Sequence, residues 1–178
     1  LSYNGGSATS NTVVGEIQEA VSATKTAVTK TYGDNTVVTY VVSLINSSSS
    51  AVSGLTLTDD LGAYSFGGAN VYPLEYTDGS VLYYVNGLLN APPAVTAGPP
   101  LVINGISVPA GGNATIVYET TVTDFAPLAA GSIIDNVVTI TGNGLTSPVT
   151  ASEIVSAVEA SELNITKAVS PSTVAPNG

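Results

Sequence analysis

The sequence contains no cysteine, histidine, methionine, tryptophan or arginine. A chain without cysteine and histidine can form no disulfide, no thiolate or imidazole metal site and no Ser-His-Asp catalytic arrangement. Most side chains of conventional enzyme chemistry are missing, so we expect a protein that is not an enzyme and that uses no cofactor and no metal ion. The absence of the readily oxidised cysteine and methionine also fits a long-lived extracellular material.

Positive charge is scarce. Three lysines face thirteen acidic residues, which gives a formal net charge of −10. A protein that neutralises many phosphates needs lysine and arginine, so nucleic acid and anionic membrane surfaces are excluded as partners. No stretch approaches the ~20 apolar residues of a membrane-spanning helix. We therefore expect neither nucleic-acid binding nor membrane insertion.

The residues that are present favour β-structure. The 178 residues are 44% hydrophobic and only 9% charged, and Thr, Val, Ser and Gly are abundant, as in proteins built from strands and short turns. The length suits one domain with a substantial core. Two of the Asn-Gly pairs in the sequence, Asn86-Gly87 and Asn104-Gly105, predict tight hairpin turns in the middle of the chain. The composition thus predicts an all-β fold.

An internal repeat suggests that the chain contains more than one module. The stretch 22–28 has a near copy at 164–169, and the spacing from Tyr3 to Glu16 equals that from Ile140 to Glu153. We therefore interpret residues 1–19 as a strand or hairpin from the end of a preceding module, with a second arm at 11–17. Residues 20–160 form one complete module, and residues 161–178 form the first strand of a following one.

Three polar residues occupy positions where alternation along a strand calls for apolar ones. Lys25 shares a face with Ala23 and Ala27, Asp59 follows Leu55 and Leu57 on one face, and Asn136 lies between Ile134 and Val138 on another. A spontaneous isopeptide bond needs this set of side chains. A neutral lysine amine attacks the asparagine carbonyl, while a carboxylic acid assists proton transfer as ammonia leaves.

Simpler interpretations stay open, because alternation alone does not decide between them. Lys25 and Asp59 can instead form a salt bridge at the rim of the sandwich, with Asn136 capping a backbone group. Glu119 is a second candidate acid, although its face carries Val117 and Thr121 and suits solvent exposure. Lys30 lies beside a turn and is expected to be solvated.

The sequence resembles the conserved-repeat family known as domain of unknown function eleven. The resemblance covers roughly residues 20 to 160 and rests on four stretches, namely Ala23-Thr24-Lys25-Thr26, Thr36-Val37-Val38-Thr39-Tyr40, Leu55-Thr56-Leu57-Thr58-Asp59 and Ile134-Asp135-Asn136-Val137-Val138-Thr139-Ile140. It implies an immunoglobulin-like β-sandwich with extra N- and C-terminal strands, on a bacterial cell or spore surface. By similarity to collagen-adhesin-type isopeptide domains, Lys25 is the nucleophile, Asn136 the electrophile and Asp59 the assisting acid.

The broken repeats predict how copies of this chain assemble. A strand that lacks its own module can add to the sheet of a neighbouring copy, which gives a head-to-tail filament. Lys167, the counterpart of Lys25, is then a candidate for a cross-link between subunits. The alternative function is an adhesin or carbohydrate-binding module, in which tyrosines 64, 72, 76, 83 and 84 bind a surface glycan.

Overall fold

The computed structural model describes residues 2–3, 6–7 and 20–158. Within these residues the regular structure consists only of strands, which are β1 (Ser2–Tyr3), β2 (Gly6–Ser7), β3 (Val21–Ala27), β4 (Thr31–Tyr32), β5 (Val37–Asn46), β6 (Val52–Asp59), β7 (Tyr64–Phe66), β8 (Ala69–Val71), β9 (Leu74–Tyr76), β10 (Leu82–Val85), β11 (Leu88–Asn90), β12 (Ala94–Thr96), β13 (Leu101–Val108), β14 (Asn113–Val122), β15 (Ile133–Thr141) and β16 (Val149–Ala157). The prediction of an all-β protein is confirmed.

Two six-stranded sheets form a sandwich. The first sheet has the order β11-β10-β14-β5-β3, and β9 pairs with β14 outside this path. The second sheet has the order β12-β13-β6-β15-β16-β4, and its neighbours are antiparallel except for β16 and β4. β3, at the edge of the first sheet, packs against β16 of the second. This contact brings the first long strand of the sandwich close to the last one.

Side chains alternate between the core and the outer surface in the long strands. In β5 and β14 almost every second residue is buried, as expected for strands with one face covered by an opposing sheet. The core consists of aliphatic residues and tyrosines from both sheets. Five polar residues are also buried within residues 20–158, and they are Lys25, Asn46, Asp59, Thr120 and Asn136.

One of the two predicted Asn-Gly turns is present and the other is wrong. Asn86-Gly87 joins β10 to β11 in an antiparallel hairpin, and both residues have positive φ angles of 49° and 77°. Gly105 also has a positive φ of 88°, but it lies inside the continuous strand β13, at a register shift between Asn104 and Ile106. The same conformational freedom of glycine serves a turn in one place and a β-bulge in the other.

Some predictions about the chain ends lie outside the described residues. β1 pairs with β2 in a small two-stranded sheet, but the predicted second arm at 11–17 is not among the residues that the structure describes. Residues 161–178, including Lys167, also lie outside them. Within the described part of the chain, no helix is long and apolar enough to cross a membrane.

Candidate functional site

Lys25, Asp59 and Asn136 lie on the inner faces of three different strands. Their side chains belong to residues that are 4%, 0% and 0% exposed, so the inward orientation predicted from alternation is confirmed. Lys25 comes from β3 of the first sheet, whereas Asp59 and Asn136 come from β6 and β15 of the second. The site therefore spans the two sheets.

The register of β6 and β15 makes Asp59 and Asn136 neighbours. Asp59 pairs with Val138, and Asn136 lies two residues before Val138 on the same face. Such diagonal neighbours are roughly 7–8 Å apart between Cα atoms, within reach of longer side chains. Because β6 and β15 are adjacent strands of one sheet, this spacing follows directly from backbone pairing.

The lysine and the aspartate are in direct contact. The Nζ atom of Lys25 donates a hydrogen bond of 2.8 Å to Oδ2 of Asp59, and both side chains are fully buried. Burial lowers the pKa of the Lys25 ammonium, and the nearby Asp59 carboxylate partly opposes this effect. The amine is therefore easier to deprotonate than a surface lysine, and the acceptor for its proton is already in contact.

The carboxylate of Asp59 also has partners besides Lys25. Its Oδ1 atom accepts a 2.8 Å hydrogen bond from the backbone N–H of Leu61. Its Oδ2 atom accepts a hydrogen bond from the hydroxyl of Tyr118. These contacts hold the carboxylate in one orientation between the two sheets.

Asn136 differs from Asn46, the other buried asparagine within residues 20–158. Asn46 makes five hydrogen bonds: its Nδ2 donates to the carbonyls of Ser50, Val108 and Pro109, and its Oδ1 accepts from the backbone N–H and the hydroxyl of Ser48. Neither amide atom of Asn136 has a hydrogen-bond partner in the described part of the chain. Asn46 thus stabilises a loop, whereas the Asn136 amide has no comparable set of hydrogen bonds among the described residues.

The alternative interpretation, a salt bridge at the rim of the sandwich with Asn136 capping a backbone group, fits this geometry poorly. A salt bridge at the rim would be partly solvated, but Lys25 and Asp59 are buried. An asparagine that caps a backbone group would show a hydrogen bond to it, and Asn136 shows none among residues 20–158. An unpaired buried amide costs free energy. No hydrogen bond among residues 20–158 offsets this cost at Asn136, which lies on the strand next to that of Asp59.

Glu119 does not join this site. It lies on the face of β14 that points away from the core, together with Val117 and Thr121, while the adjacent Tyr118 points inward. Lys30 is also outside the site, because its exposed ammonium pairs with Glu153. Of the two candidate acids, only Asp59 contacts Lys25.

Two tyrosines belong to the site but were not predicted from the sequence. Tyr40 on β5 and Tyr118 on β14 are register partners, and their ring centroids are 5.8 Å apart. The Nζ atom of Lys25 lies 4.7 Å from the centroid of the Tyr40 ring. A buried tyrosine is ordinarily a packing residue, so nothing in the sequence marked Tyr40 or Tyr118 as part of a site.

The five tyrosines proposed as a glycan platform do not form one exposed surface. Tyr76 and Tyr83 are each only 7% exposed and belong to the core. Tyr72 and Tyr84 are half-buried, and Tyr64 is 39% exposed. Of the five, only Tyr64, Tyr72 and Tyr84 are accessible to a ligand.

Solved structures share this fold. The major pilin RrgB of Streptococcus pneumoniae matches with a TM-score of 0.53 and 14% identity, over 71% of this chain and 24% of that one. The major pilin SpaD of Corynebacterium diphtheriae matches with a TM-score of 0.53 and 12% identity, over 75% and 33%. The N-terminal domain of the Streptococcus gordonii adhesin Sgo0707 matches with a TM-score of 0.53 and 14% identity, over 77% and 32%.

The matches are not confined to pilins and adhesins. A family 123 glycoside hydrolase from Clostridium perfringens has a TM-score of 0.50 and 10% identity, over 79% of this chain and 28% of that one. The chain spans about a third or less of each of these structures. Likeness at such low identity shows the fold, which is an immunoglobulin-like β-sandwich.

No protein-family model matches the chain, and no curated protein sequence matches it. The resemblance to the domain-eleven repeats therefore stays an interpretation of the motifs around Lys25, Asp59 and Asn136.

Proposed function

We propose that this chain is a structural subunit of an extracellular filament, spore appendage or surface layer of a bacterium, locked by a bond between Lys25 and Asn136. The observation that carries this proposal is the buried contact between Lys25 and Asp59, with an unpartnered asparagine amide on the neighbouring strand. The pilin and adhesin structures that share the fold support the structural role.

The reaction uses only groups of the chain itself. Lys25 passes a proton to Asp59, and its neutral Nζ attacks Cγ of Asn136 to form a new C–N bond. Asp59 then gives this proton to Nδ2 of Asn136 and takes one from Nζ. The bond between Cγ and Nδ2 breaks, and ammonia leaves. The products are an amide bond, a protonated Asp59 and one free ammonia, so atoms and charge balance.

The fold favours this reaction in three ways. Packing holds the amine and the amide together, which can replace about 7–11 kcal/mol of the barrier to a reaction between separate molecules. Desolvation favours the neutral amine over the ammonium. The products contain no buried charge, so the bond also relieves the cost of burying Lys25 and Asp59 as ions.

Assembly proceeds by strand addition between copies of the chain. Residues 161–178 resemble the start of a module, and residues 1–19 resemble the end of one. An open sheet edge on the next copy can accept such a strand. In the first sheet, β11 is an edge strand, and its Leu88 and Leu89 are 72% and 64% exposed. Lys167 is the candidate for a cross-link between successive subunits.

Intact mass tests the bond within the chain. We expect the purified protein to be lighter than its sequence by the mass of one ammonia, and Lys25→Ala and Asn136→Ala to show the full sequence mass. Peptide mapping should find the residue 25 peptide joined to the residue 136 peptide. A wild-type protein with its full sequence mass contradicts this part of the proposal.

Electron microscopy tests the assembly. We expect negatively stained native protein to form filaments, and a chain lacking residues 161–178 to stay monomeric while still losing ammonia. Retention of the ammonia loss shows that the shortened chain has folded. Dispersed monomers of the full-length chain under all conditions oppose the filament.

A second candidate function, binding of a surface glycan, has one supporting observation. An open groove of about 410 Å³ is lined by Tyr72, Phe125, Glu75 and Asn70, among other residues, and sugars are commonly bound by aromatic rings together with carboxylates and amides. Phe125 is 57% exposed. Binding on a glycan array that Phe125→Ala abolishes would favour this function.

A further inference from the structure

The two tyrosines of the site reach from the first sheet to the two polar residues of the second. The hydroxyl of Tyr118 donates to Asp59. The hydroxyl of Tyr40 is buried and has no hydrogen-bond partner among the described residues. β5 lies between β14 and β3 in the first sheet, and β15 lies between β6 and β16 in the second. Because Tyr118 of β14 contacts Asp59 of β6 and β3 packs on β16, Tyr40 of β5 lies opposite β15, the strand of Asn136. In agreement, the Asn136 side chain partly offsets the rise that burial causes in the pKa of Tyr40. Tyr118 thus lies next to Asp59 and Tyr40 next to Asn136, the two residues proposed to react with Lys25.

A hydrogen-bond donor near the carbonyl oxygen of the Asn136 amide favours attack on that amide. As Nζ of Lys25 bonds to Cγ, negative charge develops on Oδ1 of Asn136, and a donor aimed at that oxygen stabilises the transition state. Asp59 is poorly available for this task. Its Oδ1 accepts from Leu61, and its Oδ2 contacts both Lys25 and Tyr118. Its transferred proton is also required at the departing nitrogen.

Tyr40 has the one buried hydroxyl that lacks a partner within residues 20–158. Its ring stacks on Tyr118 and lies under the Lys25 amine, and a phenylalanine could provide both of these contacts. The hydroxyl adds a polar atom to the core without a hydrogen bond, which is unfavourable for a residue that serves only packing. Hydrogen bonds to a reacting group are often formed only as the transition state is reached.

We propose that Tyr40 is a catalytic residue of the isopeptide reaction, whose hydroxyl donates a hydrogen bond to Oδ1 of Asn136 while Lys25 attacks. This inference rests on the proposed cross-link and adds the residue that stabilises its transition state. Tyr40 exchanges no proton in the overall reaction. The proton transfers pass through Asp59, and ammonia is the leaving group, as described above.

The rate of ammonia loss tests this role. The full-length chain is made in a short cell-free pulse, samples are stopped in denaturing acid at intervals, and intact mass gives the fraction that has reacted. We expect Tyr40→Phe to slow the loss about 100-fold or more, as removal of an oxyanion donor does in acyl-transfer enzymes. Circular dichroism and thermal unfolding of the same sample verify that the variant is folded.

Tyr32→Phe is the matched control. Tyr32 is also fully buried, and its hydroxyl donates to the carbonyl of Pro127, away from the site. We expect this variant to lose some stability and to release ammonia at the wild-type rate. Slowing by Tyr32→Phe to the same extent as by Tyr40→Phe would show a general effect of core damage and overturn the role of Tyr40.

A second variant keeps the hydroxyl and changes its strength as a donor. Tyr40→3-fluorotyrosine has a more acidic phenol of nearly the same size, so we expect faster ammonia loss than in the wild type. Wild-type rates in both variants at position 40 would overturn the inference and leave the cross-link standing. A wild-type chain that never loses ammonia would instead overturn the cross-link itself, so the two failures are distinguishable.

Discussion

Burial changes the acid–base behaviour of Lys25. A buried ammonium without a partner is strongly disfavoured, and Asp59 is the one acid in contact with it among the residues that the structure describes. Desolvation lowers the pKa of the lysine, whereas the carboxylate opposes the fall. The lowered pKa makes the neutral amine more accessible, and a neutral amine is the form of lysine that can act as a nucleophile.

Replacement of Asp59 should separate the reaction from the fold. In Asp59→Asn the acceptor for the Lys25 proton is lost, so we expect the full sequence mass with no loss of ammonia. The lysine is then buried without a counter-charge, which should make the free energy of unfolding about 3–5 kcal/mol lower than that of the equally uncross-linked Asn136→Ala chain. Intact mass and urea denaturation measure the two effects.

Glu119→Gln is the control acid for this experiment. Because Glu119 lies on the outer face of β14, we expect ammonia loss as in the wild type and a change in stability within about 0.5 kcal/mol. If Glu119→Gln lost the cross-link while Asp59→Asn still released ammonia, the assisting acid would be Glu119 and not Asp59.

The turn after β6 positions Asn136 through the backbone. The Oδ1 atom of Asp60 accepts hydrogen bonds from the backbone N–H groups of Gly62 and Val137, at 2.9 and 3.0 Å. The backbone N–H of Asp60 in turn donates to the carbonyl of Val137. Asp60 therefore ties the turn to β15 at the residue next to Asn136. The backbone next to Asn136 is thus held by a link between two elements as well as by sheet pairing.

Gly62 should be irreplaceable in this turn. It has a positive φ of 69°, and an added Cβ would lie 2.5 Å from Cγ2 of Ile134, which is on β15 two residues before Asn136. The left-handed conformation costs a non-glycine residue about 1–2 kcal/mol, and overpacking adds about 1–3 kcal/mol. We expect Gly62→Ala to show both losses in urea denaturation and to slow ammonia loss.

Gly67→Ala separates these two causes. Gly67 has a similar φ of 60°, but an added Cβ would meet no atom within 4 Å. We expect only the conformational cost of about 1–2 kcal/mol, with ammonia released at the wild-type rate. Equal losses of stability in the two variants would contradict the proposed clash with Ile134.

For the molecule as a whole, the proposed bond joins the two sheets through a strand that comes early in the sequence and a strand that comes late in it. It connects β3 with β15 and would close a loop of about 110 residues, for which the chain-entropy model gives about 5 kcal/mol at 25 °C. A subunit of a filament transmits load between its ends. A covalent bond between an early and a late strand carries such load without unfolding the residues between them.

Loss of the bond should therefore be visible as loss of resistance to unfolding. We expect Asn136→Ala to unfold at a lower guanidinium concentration than the wild type, with a difference of about 5 kcal/mol. Removal of an unpartnered amide by itself would not destabilise the core. Asn70→Ala, a change at an exposed residue of β8, should stay within about 0.5 kcal/mol. Equal stability of the wild type and Asn136→Ala would argue that no bond is present.

Residue alternation was sufficient to predict the all-β fold and the inward orientation of Lys25, Asp59 and Asn136. The side-chain period of a strand is a local property of the backbone, so a short stretch of sequence contains it. Local patterns were less reliable where the same pair of residues occurs in two kinds of structure. Asn104-Gly105 has the chemistry of a hairpin turn but forms a bulge, because β13 continues along β6 on the far side of it.

Only the tertiary structure decided which of these residues meet. Sheet order places β15 beside β6 and the edge strand β3 opposite them, and this arrangement brings Lys25 into contact with Asp59. The same packing brings Tyr40 and Tyr118 into the site and leaves the Asn136 amide, unlike that of Asn46, without a hydrogen bond among the described residues. Such contacts join residues far apart along the chain, so they depend on the pairing and stacking of whole sheets, which no local period in the sequence specifies.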